Sequence, residues 1–247
     1  MTTYGLVGKR LGHSQSAAFF AKKFANEHIS ARYLNFELPD ISLLPDLLRS
    51  YPEIEGLNVT IPYKQAVLPY LTRTDDMARV IGAVNTIKID RTDEGVCLYG
   101  YNTDAPGFMA GLLHVNDCIP EKALILGGTG GAAAAVIYAL NSHGVSTTIV
   151  SRRPAADQLT YYDLTEDVIR THGLIVNCTP LGTYPNVDTL PDIPYQYITA
   201  RHIAYDLVYN PTETAFLRCA KAQGALTING LHMLHAQALL AYRLWTQ

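Results

Sequence analysis

The run Leu124–Val136, LILGGTGGAAAAV, decides the fold. Strand-like apolar residues stop at Gly127, and Gly128, Gly130 and Ala133 then fit the GxGxxG/A spacing as an Ala-rich helix opens. Gly128 is expected to make the tight turn, Gly130 to let a pyrophosphate approach the backbone, and Ala133 to let helix pack closely on strand. From Gly128 through Thr129, Gly130, Gly131 and Ala132 the chain would face an anion with free N–H groups and the positive end of the helix dipole. A glycine-rich turn alone fits a plain structural turn equally well. The strand before it and the helix after it supply the context that a dinucleotide site requires.

Downstream, Val145–Val150 reads as the next strand, and its end discriminates between cofactors. An NAD site usually places Asp or Glu there for the ribose 2′-hydroxyl. This chain has Ser151, Arg152 and Arg153. Two guanidinium groups suit a 2′-phosphate, so NADP is the expected cofactor. The runs Leu174–Cys178, Ile203–Leu207 and Leu226–Ile228 follow as short strands, and a last helix covers Leu231–Trp245.

Upstream, strands are expected at Tyr4–Gly8, Tyr33–Leu38 and Gly56–Ile61, with a hairpin from Val84–Ile89 and Val96–Tyr99. Helical patches lie at Ser16–His28, after a serine suited to capping, at Leu43–Leu48 and at Tyr63–Leu71. A short helix, Pro106–Leu113, joins the halves. Such alternation predicts an α/β protein of two domains. The first, residues 1–104, is a mixed-sheet α/β substrate domain. The second, residues 105–230, is a Rossmann-like nucleotide-binding domain, and the carboxyl-terminal helix, residues 231–247, packs back to complete the first.

Composition bounds the function. With 247 residues, 48% hydrophobic and 17% charged, the chain reads as an ordinary globule. A net charge of −3 gives no basic field for nucleic acid. No polybasic run or stretch of about 18 apolar residues suggests a membrane, and the amino terminus carries no apolar signal segment; a cytoplasmic location is expected. Cys97, Cys118, Cys178 and Cys219 form no CxxC pair and read as buried free thiols. His232 and His235 share a helical face but find no third ligand, so no metal is expected.

Four polar patches remain, and they are expensive for a fold to keep unless they serve a site: HSQS (His13–Ser16), NVTIPYK (Asn58–Lys64), GAVNT (Gly82–Thr86) and YNTD (Tyr101–Asp104). Each follows or ends a strand-like run, which aims their polar groups at one sheet edge. Hydroxyls, amides, one cation and one carboxylate suit a small polyhydroxylated acid. Taken singly, Lys64 is also readable as a surface lysine, and Asp104, Ser14 and Ser16 as helix caps.

Together with GGTGGA, NCTPLG, YDLVYNPTET and NGLHMLHAQ, in that order from Tyr4 to Trp245, these patches resemble the shikimate dehydrogenase family. The resemblance implies a reversible, NADPH-dependent reduction of 3-dehydroshikimate to shikimate in chorismate and aromatic amino-acid biosynthesis, by a monomer or homodimer. It implies that Ser14, Ser16 and Tyr209 hold the substrate carboxylate, with Asn58, Thr60, Asn85 and Gln237 around the ring. Lys64 and Asp104 would stand beside the hydroxyl that is oxidised. Ser151, Arg152, Asn177, Thr179, Gly230 and Met233 would line the cofactor, with Arg153 as a second cation for the phosphate. The chain departs from the family pattern at Ala17, Ser151, Arg153 and Thr183, and none of these is a catalytic position. A quinate/shikimate dehydrogenase using NAD, or a catalytically silent sensor of shikimate or nucleotide, are the competing readings.

Overall fold

The computed structural model describes every residue except His13, the first of the HSQS patch, and Glu94. The chain divides into two compact units, Met1–Thr103 with Gln237–Gln247, and Asp104–Ala236. Asp104 thus stands first in the second unit, and the last helix contributes to both.

In the first unit β1 (Thr2–Gly8), α1 (Ser16–Asn26), β2 (Ala31–Glu37), α2 (Leu44–Ser50), β3 (Ile54–Val59), α3 (Tyr63–Ala66), β4 (Arg73–Thr74), α4 (Asp76–Ile81), β5 (Thr86–Thr92) and β6 (Gly95–Tyr101) follow in order. They build a mixed six-stranded sheet, ordered β2-β1-β3-β5-β6-β4. β1 runs parallel to β2 and β3, while β5 lies antiparallel to β3 and β6. Alternation along β1 sends Tyr4 and Leu6 to one face and Val7 to the other. On the first face Tyr4, Phe20, Phe24, Tyr33 and Trp245 form an aromatic cluster; on the second, Val7 packs with Leu44, Leu47, Leu57 and Ile87. Gly56 admits the Trp245 indole, since a Cβ there would overlap the ring. The indole N–H donates to the Ile87 carbonyl at 3.0 Å.

The expected helix over Tyr63–Leu71 is shorter than the apolar pattern suggested. Pro69 lacks an N–H, so α3 gives way to a 3₁₀ turn at Leu68–Tyr70. α4 was not foreseen, although its boundary signals are present: Asp75 caps it by accepting the Ala78 N–H at 2.7 Å, and Gly82 closes it at φ +69°. No serine caps α1. Its N-cap is Gln15, and the Ser14 hydroxyl instead accepts the Ser16 N–H at 3.3 Å.

The second unit contains α5 (Asp104–Val115), β7 (Lys122–Leu126), α6 (Gly131–Ser142), β8 (Ser146–Val150), α7 (Glu166–Thr171), β9 (Leu174–Asn177), β10 (Ile203–Asp206), α8 (Ala215–Ala222), β11 (Leu226–Ile228) and the start of α9 (Leu231–Thr246). All five strands are parallel, ordered β11-β10-β9-β7-β8. β9 and β8 flank β7 on opposite sides, so the strand order reverses at β7, the switch point at which open α/β sheets bind ligands. Phe108 stacks on Tyr205 at 4.7 Å beneath this sheet. The four cysteines are free, but Cys118 is exposed and the others half-buried, so the expectation of fully buried thiols is corrected. Cys118 lies in a loop after α5, outside the apolar layers. No described helix is long and apolar enough to cross a membrane.

Candidate functional site

In the first unit the polar patches gather at one sheet edge. β1 and β3 run parallel, and β5 begins where β3 ends, with Asn58 opposite Thr86. The residues after β1 and β3 and those before β5 therefore lie together. Val84 N–H donates to the Lys64 carbonyl at 2.7 Å, which brings α3 against the GAVNT turn. Thr60 shapes the same bend: its N–H reaches the Val7 carbonyl and its carbonyl accepts from Tyr63 N–H at 2.8 Å.

Asn85 is the centre of this edge. Its Oδ1 accepts from the Thr103 N–H at 2.7 Å and from the Thr86 hydroxyl at 3.1 Å. Its Nδ2 donates to the Thr103 hydroxyl at 3.0 Å and lies 3.5 Å from Gln237 Oε1 on α9. Asn58 sits behind it. The Tyr33 hydroxyl donates to Asn58 Oδ1 at 2.8 Å, and Asn58 Nδ2 donates to the Asn85 carbonyl and to Thr86 Oγ1, both at 3.3 Å. The Asn58 amide is thus engaged within the frame, and a Ser16 side-chain hydrogen bond reaches Tyr33. Ser16, Asn58 and Asn85 are buried, whereas Ser14, Thr60, Lys64 and Gln237 are half-buried. Tyr33, Thr86 and Thr103, which order these amides, were missed as site residues. The threonines lay inside the GAVNT and YNTD patches, while Tyr33 carried no sequence signal beyond strand alternation.

In the second unit the ends of the five strands supply most of the other predicted residues, and α5 and α9 carry Asp104 and Met233. The glycine roles need one correction. The turn is made by Gly127, at φ +82°, while Gly128 packs so closely on β8 that a Cβ would collide with Ile149. Thr129 N–H returns to the Gly127 carbonyl at 2.9 Å. Gly130 caps α6, and a Cβ built on it meets nothing within 4 Å. Gly131 and Ala132, which follow this open cap at the amino end of α6, are half-buried, and Ala133 is buried.

At the end of β8 the Ser151 hydroxyl accepts the Arg153 N–H at 3.1 Å, so it shapes the turn that presents both guanidinium groups. Arg152 and Arg153 are exposed, and among the described residues neither pairs with a carboxylate. A nucleotide with a 2′-phosphate fits this donor set: two cations, no acid, and a helix amino end open to an anion. After β9, Asn177 Oδ1 accepts from Thr179 N–H at 3.0 Å and from its hydroxyl at 2.6 Å. After β10 comes Tyr209, half-buried. Gly230 N–H donates to the Val208 carbonyl at 3.1 Å, and a Cβ there would overlap the Leu207 carbonyl. Met233 is buried in the first turn of α9, and Asp104 is buried at the start of α5. His232 lies 4.0 Å from His114, both exposed; among the described residues no group of three His, Cys, Asp or Glu is placed to hold a metal.

Residues 6–87 match the family described as the shikimate dehydrogenase substrate binding domain. The chain is 36% identical to shikimate dehydrogenase (NADP(+)) of Carboxydothermus hydrogenoformans, over 98% of this chain and 90% of that one. The chain belongs to the shikimate dehydrogenase family. Within that family, the crystal structure of shikimate 5-dehydrogenase from Thermus thermophilus, in complex with NADP(H) and shikimate, is 33% identical with a TM-score of 0.85, covering 100% of this chain and 94% of that one. Quinate dehydrogenase from Corynebacterium glutamicum, in complex with NAD, is 31% identical with a TM-score of 0.86, covering 99% and 93%. The shikimate dehydrogenase fold, with a mixed and a parallel sheet, is the fold of this chain.

Proposed function

We propose that this chain catalyses the reversible NADPH-dependent reduction of 3-dehydroshikimate to shikimate, an oxidoreductase reaction at a secondary alcohol. The observation that carries the reading is the sheet edge of the first unit, where Asn85, Gln237 and the Lys64 turn stand on one hydrogen-bonded frame. A cyclic polyol acid needs such donors and acceptors held in fixed directions, because a site built to hydrogen-bond hydroxyls rejects analogues lacking them.

Bound NADP supplies the hydride acceptor in the oxidative direction. The chain must orient the alcohol and manage its proton. Ser14, Ser16 and Tyr209 hold the carboxylate, which fixes one end of the ring. Thr60, Asn85 and Gln237 direct the ring hydroxyls, and Asn58 braces Asn85 from behind. Lys64 and Asp104 are the groups that handle the hydroxyl proton, and either one takes it formally. Arg152 and Arg153 meet the 2′-phosphate, and the amino end of α6 meets the pyrophosphate. With these residues the units serve as substrate domain and nucleotide domain.

The test is a steady-state assay of the purified chain with shikimate and quinate, each with NADP and NAD, following absorbance of the reduced cofactor. Turnover of shikimate with NADP, at higher kcat/KM than any other pairing, is expected. A higher kcat/KM for quinate, or for NAD, overturns the assignment of substrate or cofactor respectively.

A further inference from the structure

Asp206, within the YDLVYNPTET run, is wholly buried at the carboxyl end of β10. Its carboxylate takes three neutral donors that lead to three different segments. Oδ1 accepts from Asn177 Nδ2 and from the Val208 N–H, each at 3.0 Å. Oδ2 accepts from the Thr214 hydroxyl at 2.5 Å.

Each donor passes the tie onward. Asn177 Oδ1 holds Thr179 by its N–H and hydroxyl, and Thr179 Cγ2 lies where a side chain on Gly127 would go. Val208 holds Gly230 through its carbonyl, at the entry to α9. Thr214 caps α8 by accepting the Leu217 N–H at 3.3 Å. Asn177, Thr179 and Gly230 are three positions read above as cofactor-lining, and all are secured through this one side chain.

We infer that Asp206 is a positioning residue for the nucleotide edge, fixing the turn after β9 and the loop after β10 so that cofactor affinity depends on it. The inference rests on the reading of the second unit as the nucleotide domain. An ionised carboxylate offers acceptors to all three donors without a proton of its own; a neutral acid or an amide presents a hydrogen toward Thr214 and weakens that tie.

Burial pushes Asp206 up to about 6, against the pull of the hydrogen bonds from Thr214, Val208 and Asn177. The groups facing it do not compete in that range. Burial raises Cys178 after β9 and Tyr195 in the 3₁₀ turn before β10, and the Asp206 charge raises both further, so both stay neutral. Glu213 and Lys221, on the α8 side, are an exposed pair at 2.9 Å.

The experiment compares the full chain with Asp206→Asn and Asp206→Ala. NADP binding is measured by calorimetry, amide hydrogen exchange is followed over residues 178–182 and 207–212, and KM and kcat are taken for shikimate. Exchange in both segments should quicken. NADP binding should weaken roughly tenfold for Asn and up to about a hundredfold for Ala, as expected for lost charge-assisted hydrogen bonds. The KM for shikimate should hold. In the parent, NADP affinity should fall toward that of the Asn variant as pH drops through about 6; the difference between the two profiles cancels titration of the cofactor phosphate. Unchanged exchange, or faster exchange with unchanged NADP affinity in the Asn variant, overturns the inference and leaves the proposed function standing. A parent that binds neither NADP nor NAD removes both. If Ala fails to fold, the Asn variant decides.

Discussion

Replacing Tyr33 with phenylalanine isolates one hydroxyl on which the substrate-side frame depends. The ring is 8% exposed and stacks on Phe20 at 4.5 Å, with an interplanar angle of 12°. Phenylalanine keeps that packing. What disappears is the O–H that donates to Asn58 Oδ1 at 2.8 Å and meets the Ser16 side chain. Asn58 then relies on its two Nδ2 contacts at 3.3 Å, both long, and its buried Oδ1 loses this donor. A deprived buried acceptor costs about 1–3 kcal/mol, and the variant is relieved of burying the phenol, so a net loss of about 1–2 kcal/mol is expected.

Trp245 is the sole tryptophan and lies 6.4 Å from Tyr33, so urea unfolding followed by its fluorescence reads this unit directly. Burial raises the Tyr33 pKa well above its ordinary value. Its contribution is therefore fully present below the ordinary value of about 10 and is lost only as pH rises beyond it. The difference between parent and variant should be flat from about pH 5 to about pH 9. In the assay, KM for shikimate should rise roughly three- to tenfold, about 0.7–1.4 kcal/mol, as Ser16 and Asn85 lose their brace. NADP affinity should not move. An unchanged unfolding free energy together with an unchanged KM would refute this account of the Tyr33 hydroxyl.

Gly56→Ala places a methyl into the Trp245 indole, and overpacking of this kind should cost about 1–3 kcal/mol in the same fluorescence-detected unfolding. Lys64→Ala should retain the fold by circular dichroism and lower kcat by about 10²–10⁴, the usual worth of a proton-handling group; near-full turnover would remove Lys64 from that role. Arg152→Ala should lower kcat/KM for NADP about ten- to a hundredfold and leave NAD little changed, with the gap narrowing as salt is added; equal losses for both cofactors would disprove phosphate reading. Because Asp206 is pushed up to about 6, its stabilising contribution is fully present below about pH 4 and is lost as pH rises through about 6. Relative to Asp206→Asn, the parent should therefore lose roughly 3 kcal/mol across that window by calorimetry, and parallel curves would contradict the shift.

The nucleotide-binding half was legible in the sequence because its signals are local. Strand, glycine turn and Ala-rich helix adjoin one another from Lys122 to Ser142, and the arginines follow the next strand directly. Boundaries failed where one residue overrides a pattern: Pro69 ended a helix that apolar spacing had carried to Leu71. The glycine roles slipped by one because spacing alone does not tell a positive φ, which falls at Gly127, from a close approach, which falls at Gly128. Tyr33 was illegible for a different reason. Its partner Asn58 lies 25 residues away on a strand two places across the sheet, and only register brings them together.

Asp206 shows why such residues escape a reading of chemistry by residue type. Nothing in its surroundings supplies a cation, and burial raises its pKa, so at neutral pH the ionised form costs the fold stability. A leucine or an amide there would relieve that cost. Neither could accept from Asn177, Val208 and Thr214 at once, and those three donors lead to the turn after β9, the loop after β10 and the cap of α8. The charge is tolerated because three segments must be fixed relative to one another at the end of a parallel sheet, where the backbone ladder has stopped and no longer fixes them. The substrate edge meets the same need with neutral groups, Tyr33, Asn58, Thr86 and Thr103, because antiparallel β5 and β6 carry the ladder closer to the site. The two edges should therefore respond differently to acid: affinity for the cofactor should weaken below about pH 6 through Asp206, while the Tyr33–Asn58–Asn85 frame has no group that titrates there.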